Sequence, residues 1–284
     1  MKVLVTGVNG QLGYDVCNEL TSRGIENKGI DKAECDITNK EQVFQYFRNY
    51  KPDAVIHCAA YTAVDNAEDN VDLCRQINLE GTQYIAEVCK ELDAKLMYIS
   101  TDYVFNGKGY NFFNVDDEKG PLNIYGLTKL EGEKAVKDIL TKYFIVRISW
   151  VFGLNGNNFI NTMIKLGENR KELNIVSDQI GSPTYTYDLA PLLCDMIVSE
   201  KYGEFHATNE GVCSWAEFAE CIFKEANLNV KVNYIKTEDY PTKAVRPKNS
   251  RMSKDSLLKA GFSTLPTWQD AVKRYVKAYL EKIK

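Results

Sequence analysis

Apolar and polar positions follow two rhythms along the chain, and the change falls near residue 150. Before it, short apolar runs read as strands: 2–6 (KVLVT), a weaker one at 25–30, a strong one at 53–58 (DAVIHC), then 95–100 (KLMYIS) and 143–148 (YFIVRI). Between them, helical periodicity covers 11–22, 40–49, about 70–91 and about 124–139. In the longest of these, Val71, Cys74, Ile77, Tyr84, Ile85 and Val88 keep to three- and four-residue steps and so share one helix face. Regular alternation of strand and helix predicts a parallel sheet covered by helices on both faces, with right-handed crossovers.

Beyond residue 150 the segments shorten. A helix at 158–168, a strand at 173–176, a helix at 188–198 and a strand at 203–207 precede a helix at 214–226 and a strand at 230–235. A last helix starts near 267, with Trp268, Val272, Tyr275, Val276 and Tyr279 on one face. No fixed-period repeat and no low-complexity linker interrupts the chain. The expectation is a first domain over 1–150 and a smaller α/β region over 151–284 packed on it without a flexible hinge.

Composition narrows the function classes. The 284 residues carry 35 basic and 39 acidic side chains, net −4, with no long run of like charge. A phosphate-backbone binder needs a basic face, so nucleic acid is not expected as a partner. No apolar stretch reaches the roughly 18 residues of a membrane helix. The first residues run straight into a structured motif rather than a leader, so the expected location is the cytoplasm. With only two histidines, His57 and His206, far apart in sequence, a three-histidine zinc site and an HExxH helix are both excluded. The eight cysteines form no CxxC pair and read as reduced thiols, with Cys58, Cys89, Cys194 and Cys221 in apolar surroundings.

The chemistry begins at the first strand–helix junction. Gly7, Gly10 and Gly13 in TGVNGQLG form a tight turn there, with Asn9, Gln11 and Leu12 between them. Glycine permits positive φ and close backbone approach, and the helix N-terminus offers free N–H groups to a pyrophosphate. The spacing is G-x-x-G-x-x-G, the variant that resembles the short-chain dehydrogenase/reductase superfamily. Asp31 closes the second strand, 18 residues past Gly13. A carboxylate there accepts both ribose hydroxyls of NAD and repels the 2′-phosphate of NADP, while Lys32 beside it softens that repulsion. The reading is therefore NADH or NADPH, with NADH favoured. Asp36 and Ile37 follow, placed for the adenine. Cys58, Ala59, Ala60 and Tyr61 leave the 53–58 strand, where small residues let a cofactor ribose approach. His57 reads as a packed strand histidine.

Tyr125 and Lys129 stand four apart in NIYGLTKLEGEKA, one turn apart on one helix face. A nearby ammonium favours the phenolate and eases proton transfer near neutral pH, and its other donors can hold the nicotinamide ribose. Ser100, Thr101, Asp102 and Tyr103 leave the carboxyl end of the 95–100 strand, where ligands sit in an open parallel sheet. Thr101 can donate to a carbonyl oxygen that Tyr125 protonates. Asn78, inside the long helix, is a candidate to position the lysine.

Across nearly its full length the chain resembles the dTDP-4-dehydrorhamnose reductase family of extended short-chain reductases. The residues carrying the resemblance are GQLG (10–13), HCAAYTAVDNAE (57–68), STDYVFNG (100–107) and PLNIYGLTKLEGE (121–133). They continue in RISWVFGLNGNNF (147–159), SDQIGSPTYTYDLA (177–190) and RPKNSRM (246–252). The resemblance implies a Rossmann-type, doubly wound NAD(P)-binding domain over 1–150 and a mainly substrate-binding region over 151–284. It implies reduction of the C4 ketone of dTDP-4-dehydro-6-deoxy-L-mannose by NAD(P)H to dTDP-L-rhamnose, for cell-surface polysaccharide. By that likeness Tyr125 is the proton donor, Lys129 its partner, and Thr101 polarises the ketone. Asp102 and Tyr103 would hold sugar hydroxyls, Trp150 would lie against the sugar, and Arg246 would fork onto the diphosphate. Asn157, Asn158 and Gln179 are further candidates for the sugar nucleotide.

Two departures limit the carry-over. Sugar-nucleotide dehydratases of the superfamily carry Asp-Glu after the threonine, whereas Tyr103 follows Asp102 here, so elimination lacks its second acid/base group. Some family members join a dimer through acidic residues and a divalent metal. Asp15 occupies the place of one such carboxylate, but counterparts near 188 and at the lysine-rich C-terminus do not emerge. The metal stays open, as does the choice between monomer and homodimer. Two other readings also remain: a reductase of another 4-keto-6-deoxy sugar nucleotide, and a non-catalytic NAD(P)-binding regulatory subunit. Loop 106–120 reads as a flap near the site.

Overall fold

The computed structural model describes residues 1–283. Its centre is a six-stranded parallel sheet. Five strands come from the first half: β1 (Lys2–Thr6), β2 (Glu26–Ile30), β3 (Ala54–His57), β4 (Lys95–Thr101) and β5 (Tyr143–Ile148). Helices connect them: α1 (Gln11–Ser22), α2 (Lys40–Tyr50), the short α3 (Val64–Ala67) and α4 (Val71–Arg75), α5 (Thr82–Glu91) and α6 (Ile124–Ile139). The strands are apolar on both faces because both are covered. Val3 and Val5 of β1 pack with Leu12, Val16 and Leu20 of α1, while Leu4 between them packs with Val43 and Phe47 of α2 on the other side. The helix expected over 70–91 is helical from 71 to 91 but contains a wider, π-type turn at Gln76–Gly81.

The second half adds β6 (Val151–Phe152), α7 (Phe159–Gly167), β7 (Glu172–Val176), β8 (Ile180–Gly181), β9 (Thr184–Tyr185) and α8 (Thr186–Val198). Then follow β10 (Gly203–His206), β11 (Cys213–Ser214), α9 (Trp215–Glu225), β12 (Lys231–Ile235), β13 (Asn249–Ser250), α10 (Asp255–Lys259) and α11 (Trp268–Lys282). α7, α9 and α11 bury their apolar faces in a second core around Phe152, Phe218, Phe223 and Tyr275. Ser214 and Glu217 close a capping box at the start of α9.

The chain does not divide in space at residue 150. Leu189, Leu193 and Ile197 of α8 join the core of α1 and the sheet, and β10 pairs with β5 as the sixth strand. The order is β10-β5-β4-β3-β1-β2. Connections leave β1 toward β2 on one side and β3 lies on the other, so the loops after β1 and β3 diverge. The crevice between their carboxyl ends is where such sheets bind ligands. Among the described residues no helix is long and apolar enough to cross a membrane.

Candidate active site

The crevice opens into one cavity of about 780 Å3. Its floor is the turn between β1 and α1. Gly7 has φ +70°, and a Cβ there would stand 2.7 Å from the Ala59 amide nitrogen. A Cβ on Gly13 would stand 2.3 Å from the Gly7 carbonyl oxygen. The turn closes on itself through Gly10 N–H to the Gly7 carbonyl, 3.0 Å. α1 begins at Gly10 with no side-chain cap and no acidic residue in its first turn. Its unsatisfied N–H groups and positive dipole end therefore face the cavity. A Gly13→Ala substitution is expected to destabilise the protein by about 1–3 kcal/mol and to remove measurable nicotinamide-nucleotide binding. Calorimetric titration and thermal melting both read this; wild-type binding with an unchanged melt would contradict the closed turn.

At one end of the cavity the Asp31 carboxylate accepts the N–H groups of Asn9 (3.1 Å) and Lys32 (2.8 Å). These bonds hold it at the mouth of the glycine turn. Asp36 accepts the hydroxyl and amide of Thr38, which hold its carboxyl below the usual range. Ile37 lines the wall beside it. Cys58, Ala59 and Ala60 line the opposite wall, and Ala59 N–H donates to the Thr6 hydroxyl at 3.1 Å. That hydroxyl meets His57 Nδ1 at 2.7 Å, and His57 Nε2 meets Thr82 at 3.2 Å. Burial pushes the imidazole down to about 3, so His57 is a neutral packing residue, as its strand position suggested.

Tyr125 and Lys129 border the same cavity with Thr101. Asn123 caps α6 by accepting the Gly126 N–H, and Glu68 accepts the Ile124 N–H, so the helix start that carries Tyr125 is fixed twice. No hydrogen bond joins the phenol to the Lys129 ammonium. Its Nζ donates to the Ile99 carbonyl at 2.7 Å and stands 4.0 Å from the Tyr98 ring centroid. Burial pulls it down to about 7, opposed by the carboxylate of Glu133. Burial pushes the Tyr125 phenol up, opposed by the Thr101 hydroxyl. The phenol is therefore held protonated, the state a proton donor needs. Its ring meets Tyr103 edge-on with centroids 5.7 Å apart.

Thr101 donates to Asp102 Oδ1 at 3.0 Å and accepts the Tyr103 N–H. Asp102 is buried, which pushes its carboxyl up to about 6 against the hydroxyls of Ser250 and Thr101. Ser100 also borders the cavity, and its hydroxyl donates to Glu133 Oε1 at 2.5 Å.

The far wall is aromatic. Trp150, at φ +50°, stacks on Trp215 with centroids 3.7 Å apart, and Phe159 leans on Trp215 at 4.7 Å. Sequence reasoning placed Trp150 here but missed Trp215 and Phe159, since nothing in a single sequence links residues 65 and 56 positions apart. Gln11 spans the two halves: its side-chain oxygen accepts from Gly153 N–H (2.8 Å) and Asn158 Nδ2 (3.0 Å).

Five candidates lie outside the cavity lining: Tyr61, Asn78, Asn158, Gln179 and Arg246. Asn78 is buried and clips the Tyr61 backbone, accepting its N–H at 2.8 Å and donating to its carbonyl at 3.2 Å. Both residues support the wall rather than face it. Arg246 is bound by both arms to Asp65, at 2.9 and 2.6 Å, and is not among the residues lining the cavity. Loop 106–120 is tied down: Asn249 donates to the carbonyls of Lys108 (3.3 Å) and Asn111 (2.9 Å), and Phe113 stacks on Phe105 at 4.5 Å. Asp15 is occupied by the Thr186 hydroxyl, and Asp188 by the guanidinium of Arg274.

Residues 1–281 match the family model described as "RmlD substrate binding domain". The dTDP-4-dehydrorhamnose reductase of Aggregatibacter actinomycetemcomitans is 42% identical over 99% of each chain. This chain belongs to the dTDP-4-dehydrorhamnose reductase family. Another family relative is the spore coat polysaccharide biosynthesis protein SpsK of Bacillus subtilis, 41% identical over 97% of each chain. A solved family structure, dTDP-4-dehydrorhamnose reductase of Bacillus anthracis in complex with NADP, is 44% identical. It superposes with a TM-score of 0.95, covering 98% of this chain and all of that one. The family segments quoted from the sequence thus map onto named structural tasks here. TAVDNAE supplies Asp65 and Glu68, RPKNS supplies Arg246 and Asn249, and together they brace α6 and loop 106–120 around the crevice.

Proposed function

We propose that this chain reduces the C4 ketone of dTDP-4-dehydro-6-deoxy-L-mannose (dTDP-4-dehydrorhamnose) to dTDP-L-rhamnose. The observation that carries the reading is a single cavity lined both by the glycine turn and by Thr101, Tyr125 and Lys129. The space over Gly7 and Gly13, which side chains would fill, fits the pyrophosphate of a nicotinamide dinucleotide. When bound, the reduced nicotinamide supplies the hydride for the carbonyl carbon. The ketone oxygen takes the Tyr125 proton as the O–H bond of the phenol breaks, and a secondary alcohol results. The Thr101 hydroxyl, which donates to Asp102 Oδ1, can turn its proton toward the ketone oxygen instead. Lys129 keeps two N–H donors beyond its bond to Ile99 for the nicotinamide ribose. Its charge also favours the phenolate that remains after transfer. The aromatic wall of Trp150, Phe159 and Trp215 shields the reacting centre, so residues after 150 supply most of the sugar-nucleotide side.

NADH is the preferred donor in this reading, because Asp31 follows β2 18 residues past Gly13, the position at which a carboxylate accepts the ribose hydroxyls of NAD and disfavours a 2′-phosphate. Asp31→Ala is expected to lower kcat/KM for NADH about tenfold and to raise it for NADPH. Parallel assays with both cofactors read the ratio, and an unchanged ratio would remove Asp31 from cofactor choice. The 41% identity to SpsK favours a second reading, in which the same chemistry acts on another 4-keto-6-deoxy sugar nucleotide. Anaerobic incubation with each keto sugar nucleotide and NADH, followed by chromatography of the products, separates the two.

A further inference from the structure

Glu133 lies one helical turn after Lys129 on α6 and is 2% exposed. Its Oε1 accepts from the Ser100 hydroxyl at 2.5 Å and from Arg147 Nε at 2.7 Å, and its Oε2 accepts from Arg147 Nη2 at 2.7 Å. Arg147, on β5, is 1% exposed. It continues to Glu204 on β10, to the Val115 carbonyl of loop 106–120 at 3.2 Å, and to His206 Nε2 at 3.4 Å. One buried carboxylate thus joins the catalytic helix to the carboxyl ends of two strands, one residue before Thr101. Isolated buried charges are costly, so a pair held this tightly fixes relative position.

We infer that Glu133 is a positioning residue: through Ser100 and Arg147 it sets the Lys129 face of α6 against the Thr101 end of β4, and its charge holds the Lys129 ammonium. The role rests on the proposed use of Lys129 in the reduction. The groups around Lys129 leave few competitors. From α6 itself come Tyr125 and Glu133; from β4, Tyr98, and from the turn after it, Asp102; from β3 and the residue after it, His57 and Cys58; from α4, Cys74; and from β5, Arg147 beyond Glu133. His57 is neutral, and burial pushes up the two thiols and the Tyr98 phenol. Asp102 borders the same cavity, and burial pushes its carboxyl up to about 6. Arg147 is shared between Glu133 and Glu204, so it does not cancel Glu133 alone.

The test follows the Lys129 amine directly in the full chain. With lysine labelled at Cε and Lys129→Met as the blank, NMR across pH gives its midpoint. Glu133→Gln keeps an acceptor for Ser100 and loses the charge, so the midpoint is expected to fall by about one pH unit. The high-pH loss of kcat/KM is expected to move down with it. Glu133→Asp keeps the charge and shortens the reach, so the midpoint returns toward wild type while kcat stays reduced. If Glu133→Gln does not fold, Glu204→Gln at the outer edge of the network is expected to shift the midpoint in the same direction by less. A midpoint that stays at its wild-type value in the folded variant overturns the inference. A midpoint that falls while the activity profile stays fixed removes Lys129 from the proposed reduction and so overturns the positioning role on that separate ground.

Discussion

Tyr125→Phe is expected to lower kcat by about 10²–10⁴-fold, the usual contribution of a positioned proton donor. Nicotinamide-nucleotide affinity is expected to stay within a small factor of wild type. The reasons are local. The substitution removes one oxygen and leaves the ring that packs edge-on against Tyr103. The glycine turn, Asp31 and Lys129 do not depend on that oxygen for their contacts. Stopped-flow or steady-state loss of reduced nicotinamide, with a separate fluorescence titration of cofactor binding, reads the two quantities independently. A variant with near-wild-type kcat would assign the proton to another group.

Arg147→Leu is expected to cost about 3–5 kcal/mol of stability, because it strands a buried carboxylate. Glu133 would keep the Ser100 hydroxyl and lose both guanidinium bonds, while Glu204 would retain Lys137 at the outer edge. At this chain length the loss corresponds to a fall of roughly 10 °C in the melting temperature. The double variant Arg147→Leu with Glu133→Leu removes the stranded charge and is expected to recover much of it. Circular-dichroism melts of the three chains test this. A single variant that melts within 2 °C of wild type, on the order of the smallest shift a lost kilocalorie produces, would show that the network carries little energy.

Much of the crevice is readable from local pattern because local physics dictates it. A glycine turn between a buried strand and a helix needs only neighbours in sequence, and so does a tyrosine one turn before a lysine. The remainder depends on contacts between distant residues. β10 is four residues long, and only its pairing with β5 shows that the sheet is completed from the second half. The π-type turn at 76–81 hides inside a helical pattern, since only one residue of the apolar series, Ile77, falls within it. Its Asn78 faces Tyr61 and Thr128 rather than Lys129. Arg246 had the chemistry for a diphosphate, but Asp65, 181 positions away, takes both its arms. The four-residue spacing put Lys129 beside Tyr125, yet the amine turns to the Ile99 carbonyl, and burial rather than the ammonium dominates the phenol. Glu133 reads as one more charge in EGEK until the fold brings Ser100 and Arg147 to it.

The central claim is tested most directly by the loss of 340 nm absorbance when the purified chain meets dTDP-4-dehydrorhamnose and reduced nicotinamide, with the product identified by mass and sugar stereochemistry. The account predicts one nicotinamide oxidised per ketone reduced and dTDP-L-rhamnose as the product. Tight cofactor binding without oxidation, on this and every other 4-keto-6-deoxy sugar nucleotide offered, would contradict it.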